Sequence, residues 1–281
     1  MILAKVAGPD PAAERARVHD APGPRWFAAD RPIRRVHADA SMFTGGLRAL
    51  LLQSLHPLAM AAVAAHSGYR GDPWGRLRRT GHFLAVTTYG PADDAEAAVE
   101  RIRAVHDRVR GKAADGTPYA ASDPHLLRWV HLAEVDSFLA AHQRYGAHPL
   151  DPDECDGYVA DTAVVAARLG VLDPPVTVAG LRAGLASYRP ELRSSPEARQ
   201  AARFLLLNPP VPLLARPAYG VLTAAAVGLL PWWSRWPLRL PYLPVAEATV
   251  VRAAGDALTR TIRWALAPNG APPGVPPGPA R

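Results

Sequence analysis

Four times in this chain an Asp or Ser stands directly before a Pro at the head of an apolar-periodic segment: Asp72-Pro73, Asp123-Pro124, Asp151-Pro152 and Ser195-Pro196. The side-chain oxygen of such a residue accepts one of the orphan amides of a helix's first turn. Pro at the next position has no amide to leave unpaired, and its φ is already helical. Glycines that can stop a helix lie downstream at Gly111, Gly146 and Gly170. A chain punctuated this way is committed to helices. The spacing predicts them over 42–65, 73–88, 93–110, 124–145, 152–169, 178–188, 196–207, 217–230 and 245–266. Strand-type alternation is scarce and no internal repeat is present, so the fold class is all-α.

At 281 residues with 49% hydrophobic and 20% charged residues, the chain can bury a sizeable core. The reading is one helical domain over 31–267, a loosely ordered arm over 1–30, and a disordered Pro/Gly-rich tail over 268–281. The 18 uncharged residues from Pro217 to Ser234 are interrupted by Pro217, Gly220, Gly228 and Pro231. A spanning helix needs about 20 predominantly apolar residues. The expectation is a buried helix leaving through Pro231-Trp232-Trp233, with monotopic membrane contact through Trp232, Trp233 and Trp236 as the alternative.

One cysteine, Cys155, excludes a disulfide within the chain and any cysteine-rich metal site. Met1 to Pro11 lacks the apolar core of a signal peptide, so a cytoplasmic setting is expected. The net charge is +7, and only Lys5 and Lys112 are lysines. The arginines are scattered and form no stripe interleaved with aromatics, which argues against nucleic acid as a partner. No Gly-x-Ser-x-Gly, Walker loop or Gly-x-Gly-x-x-Gly is present.

Ten histidines invite a metal reading. None stands three or four residues from another, so no single helix presents two adjacent imidazoles to one ion. No Glu-x-x-His exists, which argues against a ferritin-like di-iron bundle. Three patches remain. Val99, Ile102, His106 and Val109 form one inward stripe on 93–110 while charges take the other faces; a lone inward imidazole on a long helix is the geometry for an axial ligand to haem iron, but periodicity alone favours a core histidine bonded to a carbonyl. Arg76, Arg79, Thr80 and Phe83 share a face, where two guanidiniums and a hydroxyl can bind a carboxylate or an iron-bound oxygen; the alternative is a solvated basic turn. His56 and His66 lie in a stretch, Phe43 to Gly71, without any Asp or Glu, and Pro57 should kink that helix.

These patches resemble, in order, the bacterial latex-clearing (rubber oxygenase) and MpaB-type oxygenase family. The matching pieces are Leu52-Gln53-Ser54-Leu55-His56-Pro57, His66-Ser67-Gly68-Tyr69, Asp72 through Thr80, Val105 through Gly111, and Tyr119 through Pro124 with Trp129-Val130-His131. The resemblance covers about His37 to Gly146, with weaker similarity to about Leu240. It implies a globin-like helical core around haem b, with His106 as the proximal iron ligand and the distal basic motif on Arg76, Arg79 and Thr80. It implies O2 and a hydrophobic, isoprenoid- or lipid-like small molecule as substrates, and an electron donor that the sequence does not name.

Two departures qualify it. The family lysine of the distal motif is Arg79 here. A guanidinium stays protonated and cannot ligate iron, so an open sixth position is expected. The distal glutamate of rubber-cleaving members has no counterpart between 43 and 71, which leaves His56 or His66 as distal acid/base and argues against rubber itself. Arg79 would steer a propionate or a substrate acid, and His131 is read as a helix-packing residue. Two other functions suit the same residues: a haem-binding sensor or carrier without turnover, and a haem-free helical scaffold at a membrane surface.

Overall fold

The computed structural model describes residues 16–68, 71–209 and 211–267. The tail 268–281 and the first half of the arm, 1–15, lie outside them. Among the described residues the fold is all-α apart from one two-stranded hairpin. Its helices are α1 (Pro32–Ala38), α2 (Met42–Gln53), α3 (Pro57–His66), α4 (Pro73–Tyr89) and α5 (Ala92–Arg108). Strands β1 (Arg110–Lys112) and β2 (Pro118–Ala120) follow, then α6 (Pro124–Tyr145), α7 (Pro152–Leu169), α8 (Val178–Ser187) and α9 (Pro196–Leu207). The last are α10 (Arg216–Leu229), the single turn α11 (Trp232–Arg235) and α12 (Arg252–Leu266). A π turn, Glu247–Val251, leads into α12.

All four Asp/Ser-Pro starts form as the sequence dictates. Asp72 accepts from the Gly75 amide, Asp123 from His125, Asp151 from Glu154 in a full capping box, and Ser195 from Ala198. Gly170 closes α7 with φ 102°, a conformation that costs a side-chain-bearing residue strain. Gly146 follows α6 in an extended conformation.

Three departures have local causes. Helix 42–65 is broken, not kinked: α2 ends at Gln53, α3 begins at Pro57, and the two axes differ by 109°. Pro57 has no amide to continue α2, and it holds His56 in extended backbone. Helix 93–110 stops at Arg108, and Gly111 sits in β1, where a Cβ would stand 2.5 Å from the Tyr119 hydroxyl. The described part of the expected arm packs on the body: Phe27 belongs to the main core, and Val18 joins Val86, Ala95 and Ala98.

The main core surrounds α6. Trp129, Leu132, Ala133 and Phe138 of α6 meet Leu51, Leu52 and Leu55 from α2 and its C-terminal turn. Gly45 permits the close crossing, because a Cβ there would lie 2.7 Å from Phe138 Cδ1. Arg48, almost fully buried, ties three helices. It donates to Asp136 Oδ2 at 2.6 Å, Ser137 Oγ at 2.7 Å and the Leu229 carbonyl at 2.9 Å. The C-terminal half of α10 is buried through Ala225, Ala226 and Val227. Among the described residues no single helix is long and apolar enough to cross a membrane.

Candidate functional site

Helices α4 and α5 form an antiparallel hairpin joined at Gly90-Pro91. Arg76 lies 13 residues before Tyr89 and His106 lies 14 residues after Ala92. At 1.5 Å per residue both stand about 20 Å from the turn. The hairpin therefore sets Arg76, the first residue of the basic motif, at the height of the inward histidine near its open end, with Arg79 and Thr80 closer to the turn.

The motif rests on the α4 cap. The Asp72 carboxylate receives the Gly75 amide at 2.8 Å and Arg79 Nη1 at 3.4 Å. The amide first, then the guanidinium, hold its pKa below the usual carboxylate range. Gly75 is needed there, since a Cβ would fall 1.8 Å from Asp72 Oδ2. Arg76 is half-buried and donates from Nη1 to Ser67 Oγ at 2.9 Å. Arg79 and Thr80 are exposed. Arg79 thus faces solvent with Asp72, while Arg76 turns toward the end of α3.

On α5, Val99 is buried, and Ile102, His106 and Val109 are half-buried, as the periodicity requires. His106 Nδ1 is buried without a hydrogen-bond partner. Burial pushes its imidazole pKa down, with only Asp107 opposing. A neutral imidazole with an unsatisfied ring nitrogen is the species that ligates iron, so the residues of this end fit a haem group. On α6, His131 Nε2 is likewise buried and unpartnered, and desolvation pushes its pKa down to about 4, with the Arg128 cation adding to the effect.

His56 belongs to a different place. It sits at the N-terminus of α3, and Ser67, the partner of Arg76, sits at the C-terminus, about 15 Å further along the helix. His56 Nε2 is 3.4 Å from Glu191 Oε2, and His125 Nε2 is 2.8 Å from the same oxygen. His66 is exposed and reaches the Tyr119 hydroxyl at 3.2 Å. Spacing along one helix gives no sign of the His56, His125 and Glu191 grouping. Its members come from the α2–α3 break, the first turn of α6 and the loop after α8, 69 and 66 residues apart. A cleft of about 310 Å³ between α10, α11 and α12 contains none of the predicted site residues.

An all-α body carrying these motifs in this order has the character of an oxygenase domain. Residues 34–264 match the family model described as ER-bound oxygenase mpaB/B'/Rubber oxygenase, catalytic domain, and the chain belongs to that family. It is 32% identical over 111 residues to the uncharacterized protein Mb2261 of Mycobacterium bovis and, to the same extent, to the uncharacterized protein Rv2237 of Mycobacterium tuberculosis. The matched stretch is 38% of this chain and 43% of either relative. No solved structure matches the chain.

Proposed function

We propose that this protein is a haem-b-dependent oxygenase acting with O2 on a hydrophobic, isoprenoid- or lipid-like small molecule. The observation that carries the reading is His106: an inward imidazole with a buried, unpartnered nitrogen, at the height of Arg76 on the adjoining helix and further from the hairpin turn than Thr80. Membership of an oxygenase family supports the reaction class. The globin-like arrangement of the core belongs to the same proposal.

His106 holds the iron. When bound, haem b supplies the redox chemistry that makes dioxygen reactive toward a carbon–carbon double bond. Arg76 and Thr80 supply a fixed cation and a hydroxyl donor, groups that stabilise negative charge developing on oxygen. Ser67 accepts one Arg76 N–H and so restricts the guanidinium to one orientation. Arg79, exposed beside Asp72, would steer a propionate or a substrate acid, and its guanidinium, always protonated, cannot serve as a metal ligand. His56, the candidate distal acid/base, has Glu191 and His125 as its polar neighbours.

A membrane surface is the source of substrate that the C-terminal region favours. Trp232 is 70% and Trp236 87% exposed, and Leu214, Tyr242, Leu243, Val245 and Trp264 are exposed as well. Exposed apolar groups of this number mark an interaction surface.

The test is turnover. The haem-loaded protein, given a reductant and a panel of isoprenoid and unsaturated lipid substrates under labelled O2, should place label in a product, and Arg76→Ala should lower the rate or the oxygen affinity. A haem protein that binds O2 reversibly and labels nothing is the sensor or carrier instead.

A further inference from the structure

We propose that His56, His125 and Glu191 form a second, haem-independent site for one divalent transition-metal ion. Two imidazoles and one carboxylate, each offering one donor atom, lie within 4.8 Å of one another. Zinc bonds of about 2.0–2.1 Å in a tetrahedron put neighbouring donors about 3.3 Å apart, and octahedral neighbours stand about 3.0 Å apart. The separations of 2.8 Å and 3.4 Å from the two imidazoles to Glu191 Oε2 lie close to those values, and the third pair, between the imidazoles, is within 4.8 Å. Two histidines and one carboxylate suit Zn2+ or Fe2+, with the remaining positions left to water. The exposure of Glu191, 44%, and His125, 51%, leaves room for that water.

Beside the geometry of the cluster, a second observation points to a ligand, and it is His56 itself. It is 2% exposed, and neither ring nitrogen has a hydrogen-bond partner. Its Nε2 stands 3.4 Å from Glu191 Oε2, within ion-pair range but outside hydrogen-bond geometry. A buried imidazole with both nitrogens unsatisfied carries a desolvation cost that a metal bond offsets. The Tyr188 hydroxyl donates to the His125 carbonyl at 2.8 Å and lies 3.3 Å from His125 Nδ1, so Tyr188 is a positioning residue for that histidine, whose Nε2 faces Glu191 Oε2 at 2.8 Å.

The charged neighbours oppose a cation weakly. Arg193 lies close enough to disfavour positive charge on His56, and its guanidinium is turned to Asp115 at 3.5 Å. Its backbone amide, bonded to the Leu55 carbonyl at 2.9 Å, pins the Glu191 loop to the α2–α3 break. A bound ion would strengthen the same junction.

The experiment is equilibrium dialysis of the untagged, full-length protein against Zn2+, with metal content measured by mass spectrometry. Zinc is chosen because haem iron does not contribute to its count. One Zn2+ per chain is expected. Glu191→Gln and His125→Asn change exposed residues and should weaken binding by at least 100-fold while circular dichroism stays helical. Tyr188→Phe should weaken it by about 10- to 100-fold. His106→Ala should leave the zinc content at one per chain. The proposal is overturned if wild type retains no zinc, which would make the cluster a protonated ion pair only. It is equally overturned if Glu191→Gln binds zinc as well as wild type, or if His106→Ala abolishes binding.

Discussion

Glu134 on α6 offers the sharpest stability prediction. Its carboxyl is pushed up to about 7 by burial alone, from an ordinary 4.5. Among the described residues no hydrogen bond or ion pair reaches it. A raised carboxyl pKa means that the folded state holds the proton more tightly than the unfolded chain does. The stabilisation from that proton is therefore fully present below about pH 4.5 and is lost as the pH rises through about 7. Going from 4.5 to about 7 is worth at most about 3 kcal/mol, and less to the extent that the half-buried side chain reaches solvent. Glu134→Gln keeps the shape of the protonated acid and removes the titration. Its stability should equal wild type at pH 4 and exceed it by up to about 3 kcal/mol at pH 8. Every other group titrates alike in both proteins and cancels. Urea denaturation of the two proteins at pH 4, 5.5 and 8 reads the difference as a pH-dependent gap in midpoint at constant m-value. A gap that is constant across the range, or that widens toward acid, refutes the assignment of a neutral buried carboxyl.

Other outcomes follow from the packing and the surfaces. Gly45→Ala should cost about 1–3 kcal/mol, read as a lower thermal midpoint, because its Cβ would press on Phe138. Arg48→Met should cost about 3 kcal/mol, since it strips Asp136, Ser137 and the Leu229 carbonyl of one buried partner, and adding Asp136→Leu should recover much of the loss in a double-mutant cycle. His131, whose imidazole burial holds neutral down to about pH 4, destabilises the fold as the pH falls from 6.5 toward 4. His131→Gln should flatten that limb of the acid-denaturation curve. Wild type should co-sediment with anionic vesicles, and Trp232→Ala with Trp236→Ala should abolish that without changing helicity.

The fold was legible where the chemistry is local. The Asp-Pro and Ser-Pro starts are decided within one helical turn, and all four form. The stripe through His106 was legible because a helix face repeats on a fixed period. The break at Pro57 was harder. Whether a proline kinks or ends a helix depends on what lies across the bend, here Trp129, whose indole N–H bonds the Gln53 carbonyl at 3.1 Å. The short α1 and the β1–β2 hairpin are held by tertiary contacts: Asp161 of α7 accepts the Ile33 amide at 3.3 Å, and β1 is fixed by its register with β2. The His56, His125 and Glu191 cluster was invisible for the same reason. Spacing rules find ligands that share a helix, and these three meet only once α3, α6 and the loop after α8 have packed.

The central claim is that His106 holds haem b, and the visible spectrum of the purified protein tests it most directly. With a pyridine haemochrome titration for stoichiometry, wild type should show a Soret band at about one haem b per chain, and His106→Ala should lose it while remaining helical. A protein with no Soret band even when haem is supplied during expression, or a His106→Ala protein that keeps its full complement, would contradict the account.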